Sequence, residues 1–231
     1  MLINKYSCII PVYNEAVRIG DVLRVLTKVN GIEEIICIDD GSVDGSDSVI
    51  VKFTDVNLIK YSDNKGKTAA ILEGLKSAKY ESILLFDADD INLKASEIES
   101  AMGLFESEQL DCLLLTTHPM NFYYRILRTV LPVCDYITGD RIVKKGWILE
   151  LLNKNKLKGY ELEVAQNQYL IDNKKKVASV RLSAIDIGKT AKNGFIKGVV
   201  GEIKMWRQII SYIGLVSFLK QSFSLISYKS K

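Results

Sequence analysis

The first 115 residues alternate between two hydrophobic periods. YSCIIPV, EEIICID, VNLIKY, SILLFD and DCLLLTT are short apolar runs of strand length. Between them apolar residues return at helical spacing: Ile19, Val22, Leu23 and Leu26, then Ala69, Ala70, Leu72 and Leu75, then Ile98, Met102, Leu104 and Phe105. Strands that alternate with helices predict βαβ units and a mostly parallel central sheet flanked by helices, an α/β fold. In such a sheet ligands bind beyond the carboxyl ends of the strands. Three polar clusters fall at those ends: PVYNE after the first strand, DDGSVDGS after the second and DADD after the fourth. Their shared location gathers residues far apart in sequence into one cleft.

Beyond residue 116 the pattern is less regular. FYYRILRTVLP, KKGWILELLNK and GYELEVAQNQYLID have helical spacing, and KVASVRL has that of a strand. The last segment places Trp206, Ile209, Ile213, Val216, Leu219, Phe223 and Ile226 on one helical side. Arg207, Ser211, Gly214, Ser217, Gln221 and Ser224 fall on the other. Its longest uncharged run, Gln208 to Leu219, is too short for a bilayer span, which takes about 20 apolar residues. Two readings stand: an amphipathic helix lying in the membrane interface, or one packed on the domain or on a second subunit.

The 231 residues are 48% hydrophobic and hold three prolines, with no Gly-, Ser- or Pro-rich linker, so one compact domain with a C-terminal extension is expected. The net charge of +3 hides a polarity. Residues 1–115 hold 11 basic and 20 acidic side chains, net −9, and residues 116–231 hold 20 and 8, net +12. The basic half suits an anionic partner, or else a lysine-rich solvated surface. Cys8, Cys37, Cys112 and Cys134 are scattered without a C-x-x-C pair, and three of them sit inside apolar runs and read as buried free thiols, as in a reducing cytoplasm. No charged stretch followed by a long apolar one opens the chain, so no signal peptide is expected.

DADD sets three carboxylates, Asp87, Asp89 and Asp90, within four positions after Ile83–Phe86. Crowded carboxylates suit a hard divalent cation, and two with one residue between can both face Mg2+ or Mn2+. Such an ion also clamps a diphosphate. The alternative is a solvated turn with a helix cap. DDGSVDGS fails as a calcium loop, because its twelfth position is Val51. As a strand-end turn it points Asp39 and Asp40 into the cleft, where a carboxylate accepts from a base N–H or a ribose hydroxyl. NKGKTAAI lacks the first glycine of a P-loop, that position being Tyr61, but Lys67 could still meet a phosphate beside Gly66. A D-x-D phosphatase would want its motif on the first strand. The lone His118 builds no triad or zinc spacing.

Taken together, CIIPVYNE, IICIDDGSVDGS, NKGKTAAILEGL and LLFDADD resemble, in order and spacing, the family 2 glycosyltransferases of GT-A fold. DADDINLKASEI, TGDRIVKK and GYELEV extend the likeness towards glucosyl-3-phosphoglycerate-synthase-like and dolichyl-phosphate-mannose-synthase-like members, over roughly residues 5–205. The resemblance implies a transferase domain over 1–200, with a nucleotide-sugar-binding half, 1–115, an acceptor-side half, 116–200, and an amphipathic extension, 201–231. It implies that Pro11, Tyr13, Glu15, Asp39 and Asp40 hold the nucleoside, with Gly66 and Lys67 bordering the diphosphate. Asp87, Ala88 and Asp89 would meet the ribose and the metal-bound diphosphate, Asp87 and Asp89 being the ligands of Mg2+ or Mn2+. Gly139, Asp140 and Arg141 would lie near acceptor or sugar, and Asp89, Arg141 and Glu163 are the candidate catalytic residues, Glu163 as acid or base. Asp186 stands where some relatives have a metal-binding histidine, and is either a third ligand or a surface aspartate after a strand. The implied partners are a nucleotide-sugar donor and an anionic acceptor, a polyprenyl phosphate or a small phosphorylated molecule, with no nucleic acid. Peripheral contact with the cytoplasmic membrane face and a homodimer are the further partner readings of the tail. A nucleotidyltransferase, a phosphatase and a non-catalytic nucleotide-sugar-binding relative are the competing functions.

Overall fold

Seven strands form one sheet: β1 (Tyr6–Val12), β2 (Ile32–Asp39), β3 (Val56–Lys60), β4 (Ser82–Leu85), β5 (Cys112–Pro119), β6 (Arg141–Lys144) and β7 (Val177–Asp186). Their order is β3-β2-β1-β4-β6-β5-β7. The computed structural model describes residues 4–119, 136–186 and 195–226. The predicted helix FYYRILRTVLP and Cys134 lie outside them. Strands β3, β2, β1 and β4 run parallel, as do β5 and β7, while β6 is inserted antiparallel to both its neighbours. This is the mostly parallel α/β sheet that the alternating periods predict. The exception is β6: RIVK is too short to declare itself, and only pairing with β4 and β5 makes it a strand.

Both faces of the sheet are covered, which is why its central strands read as continuous apolar runs. Along β1, Cys8, Ile10 and Val12 turn to one face and Ile9 to the other. The first face receives α1 (Ile19–Leu26) through Ile19, Val22, Leu23 and Leu26, and α4 (Ala95–Ser107) through Ile98, Met102 and Phe105. The second receives α3 (Lys67–Ser77), α5 (Lys145–Lys154) and α6 (Glu161–Asp172) through Ile71, Leu75, Trp147, Ile148 and Leu162. A one-turn helix, α2 (Ser46–Ile50), follows β2. Cys8, Cys37 and Cys112 are buried free thiols.

The C-terminal segment is two helices, α7 (Phe195–Ile213) and α8 (Leu215–Ile226), where helical spacing alone reads as one. Gly214 separates them at φ 75, a left-handed conformation open to glycine. The bend lets Trp206 meet Phe218 edge-to-face at 5.7 Å. Ile209 and Phe218 are buried against Val164 of α6. Among the described residues no helix is long and apolar enough to cross a membrane.

Close packing of α3 on the sheet depends on Gly74, where a Cβ would strike Ile9 Cγ2 and lie 2.9 Å from Ile38 Cδ1. Gly74→Ala is expected to destabilise the fold by about 1–3 kcal/mol through overpacking. Gly103→Ala, in α4 where a Cβ meets nothing within 4 Å, should stabilise it by about 0.5–1 kcal/mol. Urea melts of the two variants check the contrast.

Candidate active site

β1 and β2 end side by side, Val12 opposite Asp39, and the loops that follow are laced together. The Asn14 N–H donates to Ser42 Oγ at 2.9 Å, and Val43 N–H returns a bond to Asn14 Oδ1 at 3.0 Å. Glu15 N–H donates to Ser46 Oγ and Ala16 N–H to Asp44 Oδ2, each at 2.9 Å. Slight burial acts to raise the Asp44 pKa, but bonds from Ser46 and Ala16 outweigh it and hold the carboxyl below its ordinary value. Around this lattice Pro11 is half-buried and Tyr13 is 48% exposed, while the Glu15 carboxylate accepts from Arg18 at 2.9 Å.

The two aspartates that close β2 take different parts. Asp39 is fully buried; its Oδ1 accepts from the Ser42 N–H at 2.9 Å and its Oδ2 has no protein partner. Asp40 uses both oxygens as a clamp, accepting from the N–H groups of Lys65 at 2.7 Å and Gly66 at 2.8 Å. That clamp fixes the start of α3, so the first helical residue, Lys67, projects over the end of β4.

Lys67 Nζ lies 2.7 Å from Asp87 Oδ1 and 3.2 Å from Glu163 Oε1. Burial works against its charge, but Asp87 and Glu163 prevail and raise the Lys67 pKa well above the usual lysine value. Gly139 lies against this pair: a Cβ there would strike Lys67 Nζ and come within 2.5 Å of Asp87 Oδ2. Antiparallel pairing sets Leu85 of β4 opposite Arg141 of β6, which brings Asp140 to the turn after β4. Asp87 N–H donates to Asp140 Oδ1 at 2.7 Å. Ala88 is buried, Asp89 is half-buried and Asp90 is buried behind them. Burial first, then the charge of Asp140, raises the Asp90 pKa well above the carboxylate range, and Asp90 hydrogen-bonds Asp140. That shift favours the protonated form of Asp90, whose O–H donates a hydrogen bond to Asp140. Asp140 is itself pushed up to about 7, by burial and then by Asp87.

Arg141 is fully buried. Its Nε donates to Thr138 O at 2.8 Å, and its terminal nitrogens donate to Asn167 Oδ1 at 3.0 Å, Tyr136 O at 3.3 Å and Glu163 O at 3.5 Å. Expected in the sequence as a catalytic group, it lies in the wall behind the cleft with these donors on protein acceptors. Glu163 is 5% exposed, with Oε1 on Lys67 and Oε2 without a partner. The structure thus brings Lys67, Asp87, Asp140 and Glu163 together, with Asp90 behind and Asp89 beside them. Pro11, Tyr13 and Glu15 belong to the neighbouring laced loops.

The donor set fits a divalent cation. Hard carboxylate oxygens from Asp87 and Asp89 project from one turn, and the charge at Asp87 is already met by a cation, the Lys67 ammonium. Among the described residues no group of three or more acidic, His or Cys side chains is placed to hold a metal ion. The Asp186 side chain is outside those residues. Its neighbour Ile185 forms an isolated antiparallel bridge with Ile91, two positions beyond Asp89. The end of β7 is thereby fastened to the DADD turn.

Residues 7–128 match the family model described as glycosyl transferase family 2. The chain belongs to that family. A poly-beta-1,6-N-acetyl-D-glucosamine synthase of Staphylococcus epidermidis is 37% identical over 89 residues, 37% of this chain and 22% of that protein. The chain thus spans about a fifth of the length of the curated relatives it matches. Glucosyl-3-phosphoglycerate synthase from Mycobacterium tuberculosis, solved with Mn2+, UDP and phosphoglyceric acid, is 18% identical with a TM-score of 0.70, covering 93% of this chain and 78% of that one. S. aureus TarS 1-349 is likewise 18% identical, with a TM-score of 0.64, covering 95% and 72%. These structural likenesses give this glycosyl transferase family 2 chain the GT-A fold.

Sequence reasoning leaves Asp90 without a role, and does not see Asn14, Ser42, Asp44 and Ser46 as a lattice. The signal for the lattice is present, since Asn, Ser and Asp at alternate turn positions are side chains that bond neighbouring backbone N–H groups. The Asp90–Asp140 pair yields a pH test. Because Asp140 titrates near 7 when folded and near 3.8 when unfolded, the folded chain holds an extra proton between those values. Stability falls as pH rises through that window, by at most roughly 4 kcal/mol. Without divalent metal, the melting temperature should drop between pH 5 and pH 8. Asp140→Asn, which removes the titrating carboxyl, should flatten the slope, while Asp90→Asn, whose amide still donates to Asp140, should keep it; melting curves of the three proteins in a chelator decide it.

Proposed function

We propose that the chain transfers a sugar from a nucleotide-diphosphate donor to an anionic acceptor, with Mg2+ or Mn2+ as cofactor. The observation that carries this is the carboxylate turn after β4, faced by Lys67, next to the laced loops after β1 and β2. Asp39 Oδ2, buried without a partner, is an acceptor for a base N–H or ribose hydroxyl. Pro11, Tyr13 and Glu15 flank the nucleoside, and Asp40 acts through the backbone, holding Gly66 and Lys67 at the diphosphate. A divalent cation held by Asp87 and Asp89, with Asp186 as a third oxygen donor, supplies charge neutralisation for the leaving diphosphate. Glu163 is the group to accept a proton from the acceptor hydroxyl, and Lys67 orients its carboxylate. Arg141 positions Glu163 by gripping its backbone carbonyl.

The basic second half supports an anionic acceptor, either a polyprenyl phosphate or a small phosphorylated molecule. Phosphoglyceric acid in the mycobacterial structure is a molecule of the second kind. A thermal-shift panel of UDP-, GDP-, ADP- and dTDP-sugars, with and without Mn2+, tests the donor reading by mass action. One base series should raise the melting temperature in a metal-dependent way. Asp89→Ala should abolish that shift and lower transfer about 100-fold or more. No metal-dependent shift from any donor overturns the reading, and donor binding with no nucleoside diphosphate released identifies a non-catalytic relative. An Asp186→Ala protein with an unchanged metal response removes Asp186 from the ligand set.

A further inference from the structure

The α7–α8 pair is apolar on two sides. Its inner side is spent on α6, with Ile209 and Phe218 buried against Val164. Its outer side leaves Val200 60%, Ile203 56%, Leu215 58% and Val216 66% exposed. Large apolar side chains left exposed on helices whose other side is already packed mark a contact site. The charge carried by these helices is mostly positive. Residues 195–226 hold Lys197, Lys204, Arg207 and Lys220 against the single acid Glu202. Lys204, Arg207 and Lys220 are exposed with the apolar residues.

We propose that this outward face docks on an anionic lipid bilayer, lying in its interface rather than crossing it. Apolar side chains interleaved with lysine and arginine match a surface whose headgroups are negative and whose interior is hydrocarbon. A second copy of the chain fits less well, because a two-fold contact would set Lys204 and Arg207 against their own images. Helix length agrees: neither helix can span a membrane, yet both can lie flat. The docking face also sits one helix away from the candidate cleft. Val164 meets α7 and α8, while the preceding residue, Glu163, meets Lys67. A chain so docked holds its acceptor side close to the lipid surface. The inference rests on none of the donor-site reading, so either can fail alone.

Vesicle co-sedimentation of the full chain tests it. Vesicles of phosphatidylcholine with an equal share of phosphatidylglycerol should pellet the protein, and phosphatidylcholine alone should not. Lys204→Gln with Arg207→Gln should weaken binding roughly fivefold per charge removed. Ile203→Ser with Val216→Ser should abolish it without changing the melting temperature, both side chains being exposed. Protein that stays in the supernatant with both vesicles overturns the proposal, as does binding that neither double variant alters. A dimer seen by light scattering and dissolved by Ile203→Ser with Val216→Ser, without vesicle binding, assigns the face to a second copy and overturns it equally.

Discussion

Four carboxyl groups converge where β4 ends, and the fold around them is organised to bear their repulsion. Two unit charges about 4 Å apart at a protein surface interact by roughly 4 kcal/mol, enough to empty such a site of charge or to unfold it. Three devices answer it. The ammonium of Lys67 sits 2.7 Å from Asp87, the Asp87 N–H donates to Asp140, and burial favours a protonated Asp90 that hydrogen-bonds the same carboxylate. Each device needs an element of the fold behind it. Lys67 is aimed by Asp40, which holds the two residues before α3, and Asp140 arrives because β6 runs antiparallel beside β4. Gly139 leaves the room in which the ammonium and the carboxylate meet.

The two halves of the chain join through the same contacts. The acidic half supplies the laced loops and the DADD turn, while the basic half contributes β6, Arg141 and Glu163. Glu163 reaches back to Lys67 across the cleft, and its backbone is gripped by Arg141. A reacting sugar between a diphosphate-bearing turn and an acceptor-side carboxylate would therefore lie at the seam of the halves.

Much of this was legible in the residues. The first five strands are apolar runs because both faces of the sheet are covered, and the flanking helices show their inner stripes plainly. What escaped depends on tertiary partners. RIVK becomes β6 only between β4 and β5, and Gly214 breaks a continuous stripe that spacing alone extends through it. Asp90 has no account until Asp140, fifty residues on, is beside it. Asp40 reads as a ligand-facing acid, but its oxygens meet the Lys65 and Gly66 N–H groups, which only the turn geometry could reveal. Arg141 is a candidate catalytic group only through the likeness of TGDRIVKK to other family members. Its burial depends on Asn167 and on the backbone carbonyls of Tyr136, Thr138 and Glu163.

That burial makes Arg141 a source of field rather than of contact. Its pKa is lowered by burial, while Glu163, Asp140 and Asp87 pull the other way, so the guanidinium acts on these acids from behind the wall. Mobile ions cannot gather around a charge enclosed in protein, and its pull on the cleft is set by covalent architecture instead of by the salt outside. An exposed lysine offers an anion an attraction that fades with ionic strength. The potential from Arg141 fades much less with salt.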